Sequence, residues 1–464
     1  MFRTRVKQRR IFSNRRQTRR RVSWLNALAT VVLLLLAAEL LTRIFVDLAG
    51  ERELFTQAEV ESEIAEAYQL KLVSQSSEFE DNRNALLAKS SLSVGYELVG
   101  GRESKYWQIN PQGFRDREPI SPVKPKDEIR IFLLGNSTAF GYGNSSNTDT
   151  IGDRLEQRLQ QRLQQQQASP QLYRSEILPQ DKAKRQKSLA KPAKIQTGNY
   201  RVINAAIPGY ASGNELALLA LKVLKYQPDL IVVMDGYVDL MLSSEEKATT
   251  LPATASETGD RNSPGTYLNR AIETVENNSY LIKMVQKNWF DSLSDEPADF
   301  LLEEETSNLV RHLPTSELEL QNRIDRYLEH QKQILDLCAA AQAPLVVAIQ
   351  PEISGRDPSQ LSNAEGETIA ELGRTYIDRV RESYPALIEA SQQLAKAYPE
   401  NLKVVDLYHL TDKYPSPSFI DAIHLNDSAN NKVAEQLYYA IASLPKMQVI
   451  PQQPATETRQ SDRS

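Results

Sequence analysis

Between Glu128 and Gly143 an apolar run, EIRIFLLG, empties into NSTAFGYG. Ile129, Ile131, Phe132, Leu133 and Leu134 are rich in β-formers and hold no turn residue, the pattern of a strand buried on both faces of a parallel sheet. Gly135 ends the run and permits a sharp turn. Ligands of open α/β sheets bind at the carboxyl edge of such strands, which puts Ser137 at the mouth of a cleft. A serine in this position also caps helices, so the stretch alone does not separate a capping hydroxyl from a reactive one.

The same unit recurs down the chain. Tyr200–Ala206 is a second strand, followed by a turn at IPGYA and a helix over Ser212–Tyr226; LIVVMD is a third strand, ending in Gly236-Tyr237-Val238-Asp239. Helix Ser316–Ala341, strand Leu345–Gln350, helix Gly366–Ala397 and strand Leu402–Leu407 continue the alternation, and a helix over Ser428–Leu444 closes it. Strand, helix, strand is a parallel crossover unit, so the expected class is α/β: a three-layer α/β/α domain with a five-stranded parallel sheet over residues 105–446. Two stretches interrupt it. The tract about 164–199, rich in Gln, Lys and Pro, reads as a solvated or disordered insertion. The stretch 242–315 reads as a larger insertion over the active edge of the sheet, built around TYLNRAIETVENNSYLIKMVQKNWF and able to act as a lid. Residues 447–464 form a polar tail expected to be disordered.

Charge is placed unevenly. Residues 1–47 hold 11 Lys/Arg and 2 Asp/Glu of a total of 55 and 60, leaving 44 − 58 = −14 for the rest. An acidic body disfavours a nucleic-acid partner. The basic tail 1–22 precedes WLNALATVVLLLLAAELLTRI, which with its flanks reaches the roughly 20 residues of a bilayer span. The expectation is one uncleaved transmembrane helix over 23–45, with the N-terminus cytoplasmic and the body extracytoplasmic or periplasmic. Glu39 and Arg43 extend that helix by one turn rather than end it. Residues 46–104 read as a stalk or helical linker. Cys338 is the only cysteine, so no intramolecular disulfide forms and no cysteine-based metal site is suggested.

The second half of the chemistry lies in FIDAIHLNDSANNKVAEQL. Asp421 and His424 are three residues apart before a helix, close enough for the carboxylate to orient the imidazole. A serine hydroxyl becomes a nucleophile when a base takes its proton, and the base works best with its other ring nitrogen held by an acid. Ser137, His424 and Asp421 fill those roles, in the chain order of α/β-hydrolases but without their G-x-S-x-G elbow. His312, His330 and His409 show no metal-ligand spacing, and no phosphate-cradling loop or dinucleotide fingerprint is visible.

Gly135-Asn136-Ser137 resembles the first block of the SGNH (GDSL) hydrolase family, with Asn136 where Asp is commoner; Asn204–Gly209, NAAIPG, is similar to the second, and Asp421-x-x-His424 to the last. The resemblance implies Ser137 as nucleophile, His424 as general base, Asp421 as its orienter, and the N–H groups of Ser137 and Gly209 as oxyanion donors. It implies an ester hydrolase or acyltransferase that needs no metal or cofactor. The third block departs from the family: Val238 stands where an asparagine side chain donates to the oxyanion. Asn136, Asn214 and Tyr237 are the pocket candidates to compensate. The expected protein is a membrane-anchored SGNH-type esterase or O-acyltransferase acting on acyl or acetyl esters of envelope polysaccharide or lipid. The alternative is an SGNH-fold protein of weak or no activity that binds carbohydrate or serves envelope assembly.

Overall fold

The computed structural model describes residues 63–73, 85–91, 94–244, 306–409, 414 and 416–453. The apolar segment 23–45 and most of the 242–315 insertion, with its amphipathic helix, lie outside them. Among the described residues no helix is long and apolar enough to cross a membrane.

Three short strands precede the central sheet: β1 (Leu70–Leu72), β2 (Leu86–Ser91) and β3 (Gly95–Leu98), with β1 parallel and β3 antiparallel to β2. The linker expected over 46–104 is, in its described part, a short helical stretch over residues 63–68, inside the segment expected to be helical, followed by a small sheet that was not expected, whose Leu70, Leu86, Tyr96 and Leu98 join the main core. A ribbon of β4 (Arg102–Glu103) and β5 (Gln108–Ile109) leads to the central sheet.

That sheet is built from β6 (Glu128–Gly135), β7 (Asn199–Asn204), β8 (Leu230–Asp235), β9 (Leu345–Ile349) and β10 (Leu402–Asp406), in the order β10-β9-β8-β6-β7. All four pairings are parallel. Every residue of β8 and β9 is buried, as sheets covered on both faces require. Helix α1 (Ser137–Phe140) follows β6, and α2 (Ile151–Ala168) packs on β7. Next in the chain are α3 (Lys182–Leu189), α4 (Ser212–Leu218), α5 (Tyr237–Met241), α6 (Glu317–Ala340), α7 (Asn363–Ala397) and α8 (Asp427–Ser443). Helix α8 packs on α2, while α6 packs on α4 and α7, giving the two outer layers. From β6 the chain steps outward to β7 and then returns past β6 to β8. The crevice at this reversal is where such folds bind ligands, and Ser137 stands at it.

Three sequence expectations change in detail. The helix from Ser212 is α-helical only to Leu218 and continues as a π turn and a 3-10 turn to Tyr226. The tract 164–199 contains α3 and is tied down: Gln166 Nε2 donates to the Ile195 carbonyl at 3.2 Å, and the Arg162 guanidinium lies 4.1 Å from the Tyr173 ring centre. Ile177 and Ile195 form bridges to Gln452 and Gln448, so the start of the 447–464 tail is ordered against it. Low apolar content concealed this because polar side chains and edge bridges do the holding.

Candidate active site

Gly135 makes the turn from β6 possible. Its φ is +149°, and a Cβ there would sit 2.3 Å from the Met234 carbonyl oxygen and 2.6 Å from Ala139 Cβ. Asn136 caps α1, its side chain accepting from Thr138 N at 3.1 Å, and Ser137 is the first helical residue. Asn136 Nδ2 also donates to Gln350 Oε1 at 2.5 Å, and Gln350 Nε2 donates to Thr138 Oγ1 at 3.2 Å. Gln350, fully buried just past β9, thus holds the residues on either side of Ser137.

The loop before α8 delivers the other two groups. Asp421 Oδ1 accepts from the backbone of Ile423 at 2.9 Å and of His424 at 2.8 Å, closing a tight turn. Asp421 Oδ2 lies 2.5 Å from His424 Nδ1, and His424 Nε2 lies 2.8 Å from Ser137 Oγ. With the carboxylate on Nδ1, that nitrogen carries the proton and Nε2 is left to accept from the serine hydroxyl; this tautomer is assigned from the partners. Burial pushes the Asp421 carboxyl up, but the facing imidazole and the backbone N–H donors outweigh it and hold Asp421 below its ordinary range. The His424 side chain is only 12% exposed. Tyr142 stacks on its ring, with centres 4.4 Å apart and planes 26° from parallel.

The third component is the segment after β7, which extends the pairing with β6: Ala205 N donates to the Leu133 carbonyl and Ile207 N to that of Gly135. Asn204 Nδ2 donates to the carbonyls of Ala139 and Phe140, both at 3.1 Å, and its Oδ1 accepts from Ala206 N. One side chain therefore fixes α1 and the start of the Gly209 loop together. Gly209 follows with φ of +82°.

The three pocket candidates have partners. Asn136 is held by Thr138 and Gln350; Asn214 Nδ2 donates to the Val94 carbonyl at 3.0 Å; and the Tyr237 hydroxyl lies 3.0 Å from that of Tyr376. Val238 is buried in α5 and has no donor to offer. Asp406 caps its own turn, accepting from His409 N at 3.0 Å, and Asp239 accepts from the Ser212 backbone at 3.1 Å. Among the described residues no group of His, Cys, Asp and Glu could hold a metal ion.

Arg115, Gln350, Thr138 and Tyr142 escaped the sequence reading. Arg115 is buried and spends its guanidinium on the Asn147 side chain, the Tyr68 hydroxyl and the carbonyls of Tyr106, Phe140 and Gly141. It anchors the end of α1. Only Gln350 left a trace, as a polar residue closing an apolar strand at the active edge.

No family model and no curated protein matches the chain. Among solved structures it is similar to TesA, at 13% identity over 67% of this chain and 97% of that one, with a TM-score of 0.31. It is similar to a lipase/acylhydrolase from Enterococcus faecalis, at 13% identity, 68% and 95% coverage and a TM-score of 0.30. A third is a variant of Axe2, an acetyl-xylooligosaccharide esterase from Geobacillus, at 11% identity, 69% and 96% coverage and a TM-score of 0.34. The chain itself has a five-stranded parallel α/β sheet with the serine at its switch point and the Asp/His pair just before the last helix.

Proposed function

We propose that this chain is a serine ester hydrolase or O-acyltransferase. The observation that carries the reading is the continuous path Asp421 Oδ2, His424 Nδ1, His424 Nε2, Ser137 Oγ, with steps of 2.5 and 2.8 Å across the ring. In this mechanism Ser137 Oγ attacks the ester carbonyl while His424 Nε2 takes the hydroxyl proton, and Asp421 holds the ring and offsets the imidazolium charge. The backbone N–H groups of Ser137 and Gly209 receive the oxyanion. The imidazolium returns its proton to the leaving alkoxide, and an acyl-serine remains. Water then completes hydrolysis, or a sugar hydroxyl completes transfer, with His424 again as base.

The substrates proposed are acyl or acetyl esters of envelope polysaccharide or lipid. The support is the N-terminal segment: a basic block followed by an apolar stretch of bilayer length, which would anchor the body outside the cytoplasm. Protease added to intact spheroplasts should remove the body; protection of the body contradicts this topology.

Val238 favours a second reading, an SGNH-fold protein that binds carbohydrate or serves envelope assembly. Losing one oxyanion donor typically costs roughly 10² to 10³ in rate, which leaves a slow enzyme rather than a dead one. Hydrolysis of p-nitrophenyl acetate by the full chain in detergent separates the readings. Turnover that disappears in His424→Ala supports catalysis, and parent turnover no faster than that variant favours the binding role. Val238→Asn should then raise kcat.

A further inference from the structure

We propose that Tyr96, in the N-terminal sheet, is a positioning residue of the oxyanion site. Its hydroxyl grips the Pro208 carbonyl and so aims the Gly209 N–H, which belongs to the same peptide unit. The proposal rests on the reading of Gly209 as an oxyanion donor and adds what sets that donor's direction.

Ile207-Pro208-Gly209-Tyr210 is a β-turn, closed by Tyr210 N donating to the Ile207 carbonyl at 3.1 Å. Proline at its second position suits both type I and type II turns, whereas a positive φ at the third, +82° for Gly209, belongs to type II. The two types differ by a flip of the central peptide, here Pro208–Gly209. A trans peptide is planar with its C=O and N–H pointing oppositely, so the flip reverses the Gly209 N–H. Glycine offers little steric resistance to it. Whatever holds the Pro208 carbonyl therefore decides where the Gly209 N–H points.

Tyr96 holds it. The Tyr96 hydroxyl donates to Pro208 O at 2.5 Å from 112 residues upstream. The Tyr210 hydroxyl donates in return to the Tyr96 carbonyl, and the two rings meet edge to face with centres 5.1 Å apart. Both side chains are buried. Strand β3 is fastened to the same region by Asn214 Nδ2 on the Val94 carbonyl at 3.0 Å and by Lys222 on Glu97 at 3.2 Å. A hydrogen bond to a peptide carbonyl also polarises the attached N–H and strengthens it as a donor. Tyr96 thus orients and sharpens the donor from behind, and the segment first read as a linker becomes part of the catalytic unit.

The test compares the full chain with Tyr96→Phe, which keeps the ring and removes the grip. With p-nitrophenyl acetate, kcat should fall about tenfold while KM and the pH profile stay as in the parent. Ki for a trifluoromethyl ketone, whose adduct with the serine carries an oxyanion, should rise by about the same factor. Loss of stability alone would not move kcat and Ki together below the melting temperature. Unchanged kcat and Ki in folded Tyr96→Phe overturn the proposal while leaving the esterase reading intact. A parent without turnover that depends on Ser137 overturns that reading and this proposal with it. Should Tyr96→Phe fail to fold, Tyr210→Phe removes the bond that seats Tyr96; parallel shifts in kcat and Ki support the proposal, and their absence overturns it.

Discussion

Thr138 Oγ1 donates to the Ile423 carbonyl at 3.3 Å, joining the residue after Ser137 to the residue before His424 across 285 positions of chain. The two loops leave different strands, and this bond with the bridge through Gln350 sets the gap across which the serine and imidazole meet. A spacing of 2.8 Å between Ser137 Oγ and His424 Nε2 needs such a tie, because an error of about 1 Å can cost on the order of 10²-fold in rate.

Gln350→Leu should therefore lose both stability and rate. It strands the buried Asn136 Nδ2 and leaves the Thr138 hydroxyl with only its bond to the Ile423 carbonyl, at a cost of about 1–3 kcal/mol. Thermal melts and ester turnover check this, with kcat falling more than KM rises. Gln350→Glu should fare better than Leu, since it still accepts from Asn136.

Tyr142 restrains the imidazole by its face. Tyr142→Ala should lower kcat several-fold with little change in melting temperature, because an aromatic pair contributes about 0.5–1.5 kcal/mol beyond area. Tyr142→Phe should keep most of the rate. Equal losses in the two variants would assign the effect to the hydroxyl instead.

Glu352 makes stability depend on pH. It is fully buried past β9, accepting from Ser354 N at 2.7 Å and from the Tyr376 hydroxyl at 3.1 Å. Burial, only partly offset by those donors, pushes its carboxyl from the ordinary 4.5 up to about 7. Between those values the folded chain keeps a proton that the unfolded chain releases, so stability falls as pH rises through the window. Asp235, also pushed up by burial and then by Asp239, acts in the same direction. Chemical denaturation from roughly pH 5 to pH 8 should show a decline, and Glu352→Gln should remove on the order of 2–3 kcal/mol of it. A parent whose stability rises across that range contradicts the assignment.

The central sheet was legible because β8 and β9 are short, continuous apolar runs and β6 becomes one after Arg130, the pattern of strands covered on both faces of a parallel sheet. Ser137, Asp421 and His424 were legible through short motifs with chemical meaning. The roles of Gln350 and Tyr96 were not, because they come from bonds to positions 214 and 112 residues away; a polar residue closing β9 is the one local trace of Gln350, and nothing local marks Tyr96. The small N-terminal sheet was missed for a related reason. Strand β3 alternates burial over four residues, too short a period to separate from a loop until its partners are known. The ordered part of 164–199 is held by Gln166, Arg162 and edge bridges, which composition reads as solvent-facing polarity.

The most direct measurement is labelling of the full chain by a fluorophosphonate probe, with the adduct mapped by mass spectrometry. The account predicts one modified residue, Ser137, with labelling abolished in Ser137→Ala and slowed at least a hundredfold in His424→Ala. Labelling that persists unchanged in both variants, or a parent that never reacts, would contradict it.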